Sequence, residues 1–299
     1  MATSREVTKL PSWDLPAGAE IAPGRTLLRA LGGGNRFEVF LVWDQTRLAV
    51  MVAKVLRPHV VSKERVLRDL RLEAEALDEL AHPVIVRGFD AVLDGPYPHL
   101  LIEHLEGATL RSLIGRDGPL PMQQLLPLAL HVASAIHYLA ARGWVHLDIK
   151  PDNVVMGIPP RLIDLSLAMP FADAQTFSAP VGTDAYMPPE QCLPGSAAVG
   201  PPADVYGLAA TLWHAAAGAR PWPRARGDRD SEDPALRFPQ LARDPEPLPR
   251  GVPPALEELL RSCLARDPLV RPVAAELAGA LEPLVAELPR RMPLSKKRR

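Results

Sequence analysis

Disulfide chemistry is almost excluded from this chain. Only two of its 299 residues are cysteine, Cys192 and Cys263. That is too few for a disulfide framework, and a reducing cytosol is the simpler setting. An excess of charge is missing as well: 34 Lys and Arg stand against 35 Asp and Glu, a net charge of -1. No global attraction to nucleic acid is therefore expected. No uninterrupted apolar run reaches ~18 residues, so no transmembrane segment is expected. The start, Met1 to Leu10, carries charge and no apolar core, unlike a secretory signal. What remains is 47% hydrophobic and 23% charged, the balance of a globular protein. The length suits one large domain or two lobes. Proline is plentiful, at 34 residues, and much of it lies between Pro188 and Pro254, where long ordered loops are expected.

The apolar patterning changes character along the chain. Residues 1–20 show little periodicity and read as a flexible N-terminal tail. Thr26 to Leu31, Val39 to Trp43 and Leu48 to Leu56 read as strands around a glycine cluster. Val84 to Phe89 and Leu100 to Ile102 read as further strands. Glu64 to Leu80 reads as a helix, with Val66, Leu70, Leu77 and Leu80 near helical spacing. Beyond Glu106 the pattern is helical: Met122–Ala141, Asp204–Ala217, Ala255–Ala265 and Val273–Leu281, with Pro283 expected to end or kink the last. The class is α+β. A small β-rich lobe over 21–104 joins a larger helical lobe over 105–285, and 286–299 form a basic tail ending Lys296-Lys297-Arg298-Arg299. That tail reads as a solvated end, or as a contact for an acidic partner or a membrane surface.

Two features of the β-rich part bear on chemistry. Gly32, Gly33 and Gly34, between two strands, let the backbone approach a phosphate closely. A tight hairpin turn without a ligand explains them equally well, and no Gly-Lys-Ser/Thr follows to make a Walker loop. Lys54 interrupts the apolar strand Val50 to Leu56. A lysine there must find a partner or an exit to water, because a buried unpaired charge is costly.

The helical part supplies the specific signal. His146-Leu147-Asp148-Ile149-Lys150-Pro151-Asp152-Asn153 is followed by Asp164-Leu165-Ser166. A possible base, a cation, an amide and a second carboxylate lie close together. Moving a phosphoryl group from a nucleotide to a hydroxyl needs those types, because its charge-rich transition state is handled by positioning and electrostatics. The run resembles the catalytic loop and metal-binding triplet of bacterial eukaryotic-like Ser/Thr protein kinases, and elements from Leu28 to Leu281 follow that family's order.

The resemblance implies a bilobal kinase fold and transfer of the ATP γ-phosphoryl group to protein hydroxyls, the chain itself included among the possible substrates. Asp148 would accept or orient the acceptor's proton, and Lys150 would steady the transferring phosphate. Asn153 and Asp164 would hold Mg²⁺ or Mn²⁺. The nucleotide would be held by Leu31, Gly32, Gly33, Gly34, Val39, Val52, Lys54, Glu73, Ile102, Glu103, Leu105 and Val155. Glu73 is preferred to Glu75 as the partner of Lys54, and since the two face about 200° apart on a helix only one can meet it. Val52 stands where the family usually has Ala, which should tighten the adenine slot. Thr183, in Gly182 to Glu190, would contact Asp148 and Lys150. Glu190 would pair with Arg271, and Asp204 would anchor the catalytic loop.

Departures from the family pattern open two rivals: a pseudokinase acting as a nucleotide-binding interaction module, and a small-molecule kinase of the aminoglycoside-phosphotransferase sort. Phe37 replaces the third glycine, and Leu165-Ser166 replace Phe-Gly. Leu147 replaces the arginine that reads an activation-segment phosphate, so strict dependence on such phosphorylation is not expected.

Overall fold

The computed structural model of the chain describes residues 10–196, 198–223, 231 and 233–288. Met1 to Lys9 and the basic end, Lys296 to Arg299, lie outside them. The chain forms two compact units. One runs to Ala81 and again from Val86 to Leu105; the other holds His82–Ile85 and the chain from Glu106 onward.

The first unit is an antiparallel sheet with a helix. Its strands are β1 (Glu20–Ala22), β2 (Arg25–Gly33), β3 (Phe37–Asp44) and β4 (Ala49–Leu56), then, after α1 (Glu64–Glu79), β5 (Gly88–Val92) and β6 (His99–Glu103). Their order is β1-β2-β3-β4-β6-β5. Because alternate residues of a strand face opposite ways, β4 feeds two cores. Met51, Ala53 and Val55 pack with Leu27, Phe40, Val42 and Leu101. Leu56, on the other face, packs with Leu100 and with Val66 and Leu70 of α1. Lys54 shares that second face. The buried row of α1 is Val66, Leu70, Glu73 and Ala76, a helical spacing that carries Glu73 inward.

A charge cluster, buried except for Asp90, ties the strands together. Arg25 Nε donates to Asp44 Oδ2 at 3.1 Å, a further guanidinium nitrogen pairs with Asp90, and Nη1 lies 2.9 Å from His99 Nε2. A guanidinium only donates, so Nε2 accepts and the proton sits on Nδ1, 2.7 Å from Tyr97 O. Burial, with help from the Arg25 charge, lowers the His99 pKa and favours that neutral form. The Arg25 hydrogen bond lowers the Asp90 pKa.

Three expectations need correction here. Residues 11–20 are no tail. Ser12 Oγ donates to Glu38 Oε1 at 2.5 Å and Trp13 Nε1 to Leu56 O at 2.7 Å, while Trp13 and Leu15 pack on the sheet core. The strand expected over Val84–Phe89 begins only at Gly88. Val84 and Ile85 belong to the second unit, where Leu162 N donates to Val84 O at 2.6 Å. The last helix runs through Pro283 to Ala286. Proline there forgoes one bond near the helix end, and Glu287 N still reaches Pro283 O at 3.1 Å.

The second unit is mainly helical. Its elements are α2 (Leu110–Asp117), α3 (Met122–Ala141), β7 (Trp144–Val145), β8 (Val154–Val155), β9 (Arg161–Leu162), β10 (Met169–Pro170), α4 (Phe171–Ala174), α5 (Pro189–Cys192), α6 (Pro201–Ala217), α7 (Pro234–Arg237), α8 (Pro254–Cys263) and α9 (Ala274–Ala286). From Ala203 to Ala216 every residue of α6 is buried, the mark of a helix enclosed on all sides. α3 packs against α6 and α9. Among the described residues α3 is long and apolar enough to cross a membrane by length and composition, and half of it is buried inside this protein.

Candidate active site

The catalytic loop hangs from the central helix. Asp204, at the start of α6, accepts His146 N at 2.7 Å and Leu147 N at 2.8 Å. Burial raises the Asp204 pKa, and the two backbone bonds oppose that rise. Farther along α6, Thr211 Oγ1 donates to Ile149 O at 3.2 Å. Leu147 takes a positive φ of 63°, a backbone strained by ~1–2 kcal/mol for a residue with a Cβ. Packing holds it there: Leu147 is buried with Val145, Ala174, Val199 and Ala203, against Leu167, Met169, Phe171 and Phe177. Its carbonyl accepts Gln191 Nε2 at 3.0 Å.

That scaffold closes a triangle. Lys150 Nζ donates to Asp148 Oδ2 at 2.6 Å and to Thr183 Oγ1 at 2.7 Å. The Thr183 hydroxyl donates to Asp148 Oδ1 at 2.7 Å. Asn153 Nδ2 donates to Asp148 O at 2.9 Å and Asp148 Oδ2 at 3.1 Å. Both amide protons are thereby engaged, which leaves Asn153 its carbonyl oxygen as a ligand atom. The β8–β9 hairpin brings Asp164 beside it in the chain trace, because Ile163 N donates to Asn153 O at 2.8 Å. Asp164 has φ 64°. Among the described residues no trio of His, Cys, Asp or Glu is placed to hold a metal. One carboxylate and one amide oxygen instead fit a hard divalent cation that completes its shell with water and phosphate oxygens. Val155, next to this pair in β8, is buried and bridges to Thr109.

Gly182 lets the Thr183 turn approach. Its φ is 124°, and a Cβ there would stand 2.8 Å from Met187 Cγ and 3.1 Å from Leu147 O. The turn ends in a buried fork: Arg271 Nη1 and Nη2 donate to Glu190 Oε1 and Oε2 at 2.6 and 2.9 Å.

The nucleotide-side candidates lie in the first unit. Lys54 Nζ donates to both Glu73 oxygens, at 2.7 and 3.0 Å, and the two side chains are only 11% and 4% exposed. Glu75 is exposed. Register aligns a band on the Lys54 face: Gly32 opposite Val39, Val39 opposite Lys54, and Val52 opposite Ile102. At Gly33 φ is 151° and a Cβ would meet Phe37 O at 2.3 Å, so glycine is required. Gly34 N closes the turn on Phe37 O at 3.0 Å. Leu31 is exposed and Leu105 half-buried just past β6. Glu103 points away from the band by strand alternation, and its carboxylate accepts Arg87 N at 2.9 Å.

The protein kinase domain family matches residues 25–280. The chain belongs to the protein kinase family. Its relatives include the serine/threonine-protein kinase PknL of Mycobacterium tuberculosis, 30% identical over 285 residues, which are 91% of this chain and 69% of PknL. Another is PknB of Mycobacterium leprae, 29% identical over 264 residues. That alignment takes in 84% of this chain but only 41% of PknB, so the chain spans less than half the length of that relative.

Some of the kinase domain's contacts leave no mark in the sequence. Phe37, which looked like a lost glycine, packs into the α1 core, and the Lys54 ammonium sits 4.4 Å from its ring centroid. Gln191 bridges Leu147 O and Val181 O, the latter at 2.7 Å. Arg237 forks onto Asp184 at 2.9 Å. No short motif announces such pairs.

Proposed function

We propose that this chain transfers the γ-phosphoryl group of ATP to serine or threonine hydroxyls of proteins. The closed triangle of Asp148, Lys150 and Thr183 carries the reading. It fixes a carboxylate and an ammonium side by side where an acceptor hydroxyl must lose its proton and a phosphoryl group must be steadied. Asp148 orients the acceptor hydroxyl and takes its proton. Lys150 balances charge on the moving phosphoryl group. Lys54, held extended by Glu73, binds the α- and β-phosphates, and the glycine turn offers backbone N–H groups. Val39, Val52 and Ile102 supply apolar surface for the base. Asn153 and Asp164 hold Mg²⁺ or Mn²⁺, which when bound neutralises charge on the phosphates. The departures at Phe37, Leu147, Leu165 and Ser166 remove none of these groups, which disfavours a non-catalytic module. Two buried, free thiols fit a reducing cytoplasm; burial pushes Cys263 up to about 12 and raises Cys192 as well.

The test is incubation with labelled ATP and Mg²⁺ or Mn²⁺, followed by mass spectrometry of modified residues. The parent chain is expected to label itself or an added protein, and Asp164→Ala to lose that labelling. Equal labelling by both would refute the metal role, and no labelling by the parent on any protein would refute the activity.

Apolar packing holds the activation segment. Leu147 lies in an apolar cluster with Leu167, Met169, Phe171 and Phe177, while Thr176 and Ser178 are exposed. Thr176→Ala combined with Ser178→Ala is expected to keep kcat/KM within tenfold of the parent, ~1.4 kcal/mol. A larger loss in a steady-state peptide assay would show that phosphorylation of this segment is required.

A further inference from the structure

The glycine turn is tied down from the face opposite Lys54. Phe37 and Glu38 are neighbours in β3 and so face opposite ways. Phe37 turns toward Lys54 and the α1 core. Glu38 turns to the other face, where residues 11–13 run past it. Its buried carboxylate accepts Ser12 Oγ at 2.5 Å and Trp13 N at 3.1 Å. Arg57, just past β4, joins those residues to the turn. Its Nη1 donates to Pro11 O at 3.0 Å and its Nε to Gly34 O at 2.7 Å. Its backbone N donates to Arg36 O at 2.8 Å, and Nη1 stands 3.6 Å from Glu38 Oε1. Trp13 seats the segment. Its ring packs on the Met51, Ala53 and Val55 face and meets Tyr97 edge-on, with centroids 5.0 Å apart. Its Nε1 donates to Leu56 O at 2.7 Å, and Leu56 stands opposite Phe37 in the β3–β4 register.

Three glycines in a row give the turn a backbone that samples many conformations on its own. Ordering it only when a nucleotide arrives would subtract that entropy from the affinity. Contacts that order the turn beforehand therefore act as nucleotide affinity. The Arg57 and Glu38 side chains are 13% and 9% exposed, so water competes weakly for either charge. Hydrogen bonds to such charged groups are the stronger kind. The Arg57 fork ends on the turn at one side and on Pro11 at the other, so the hold on Gly34 depends on where residues 11–13 lie.

We propose that residues 11–13 are a brace that positions the glycine turn for ATP through Glu38 and Arg57. Ser12, Trp13, Glu38 and Arg57 are positioning residues: they set nucleotide affinity from the face that the nucleotide does not meet. This role rests on the kinase function proposed above and extends it to residues outside the site.

The test compares the parent chain with Arg57→Lys, which keeps the charge but loses the fork, and with Trp13→Ala, which unseats the brace. Initial rates are measured at varied ATP and at varied Thr peptide, beside a thermal melt. In Arg57→Lys the KM for ATP is expected to rise about tenfold, the weight of one hydrogen bond to a charged group, with kcat and the peptide KM unchanged. Trp13→Ala is expected to shift the ATP KM in the same direction. An ATP KM equal to the parent's, or a peptide KM that rises as much, would overturn the brace, as would a loss confined to kcat. If Trp13→Ala does not fold, Arg57→Lys alone gives the answer by the same measurements. If the parent transfers no phosphoryl group, binding of a fluorescent ATP analogue with Mg²⁺ replaces the rates: weaker binding by Arg57→Lys upholds the brace, and equal binding overturns it. If the parent binds no analogue either, the kinase function fails, and amide hydrogen exchange still tests the hold on the turn. Faster exchange over residues 32–36 in Arg57→Lys upholds it; equal exchange overturns it.

Discussion

Asp148→Asn is expected to lower kcat for phosphoryl transfer by ~10²–10⁴-fold, the usual contribution of a positioned proton acceptor, with the fold and nucleotide binding retained. The geometry says why shape survives. Asp148 Oδ2 receives Lys150 Nζ and Asn153 Nδ2, and Oδ1 receives the Thr183 hydroxyl. An asparagine that keeps its oxygen toward Lys150 and Asn153 turns its amide toward Thr183 Oγ1. The threonine hydroxyl can rotate and accept there. No donor is set against a donor, and the triangle stays closed. What disappears is the negative charge beside Lys150 and the basicity that takes the acceptor's proton. Initial rates with a Thr peptide, alongside a thermal melt and an ATP-binding titration, separate these effects. A rate loss below tenfold with the fold intact would remove Asp148 from the chemistry.

Much of this was legible because the relevant residues sit on single elements with a fixed period or in one short loop. Glu73 rather than Glu75 faces Lys54 because a helix advances about 100° per residue, and Val66 and Leu70 fix which face is inward. Asp148, Lys150 and Asn153 are near neighbours in sequence, so no long-range fold is needed to bring them together. The rest was hidden for the opposite reason. Arg25 meets His99 across 74 positions and Arg111 meets His214 across 103, and such pairings depend on strand register and helix packing. Val84 and Ile85 are apolar enough for a strand, but their backbone partner, Leu162, lies far along the chain. Trp13 stands in a stretch with no periodicity, and its ring, together with Leu15 and the Ser12–Glu38 hydrogen bond, seats that stretch on the sheet. Phe37 read as a defect of the glycine turn because composition shows a missing glycine but not the core that an aromatic ring can enter.

Arg271→Ala is expected to destabilise the second unit by ~3–5 kcal/mol, the cost of leaving one member of a buried ion pair without its partner. Glu190 and Arg271 have side chains 1% and 0% exposed, so water cannot replace the lost contact. Arg271 also spends its remaining hydrogens on main chain: Nε donates to Ala265 O at 2.8 Å, Nη1 to Pro202 O at 3.1 Å and Nη2 to Arg266 O at 3.3 Å. Its guanidinium lies 4.9 Å from the Tyr206 ring centroid on α6. One side chain thus joins the end of the activation segment, the start of α6 and the loop after α8. Arg271→Lys keeps the charge but has three donors on one atom and no fork, so it is expected to recover only a minor part of the loss. Replacing both partners, Glu190→Gln with Arg271→Met, removes the stranded charge and is expected to cost less than Arg271→Ala alone, since the isolated carboxylate carries most of the penalty. Thermal and urea unfolding of the three variants checks the order. Arg271→Ala as stable as the parent, or Arg271→Lys fully restoring it, would show that the pair does not hold the segment in place.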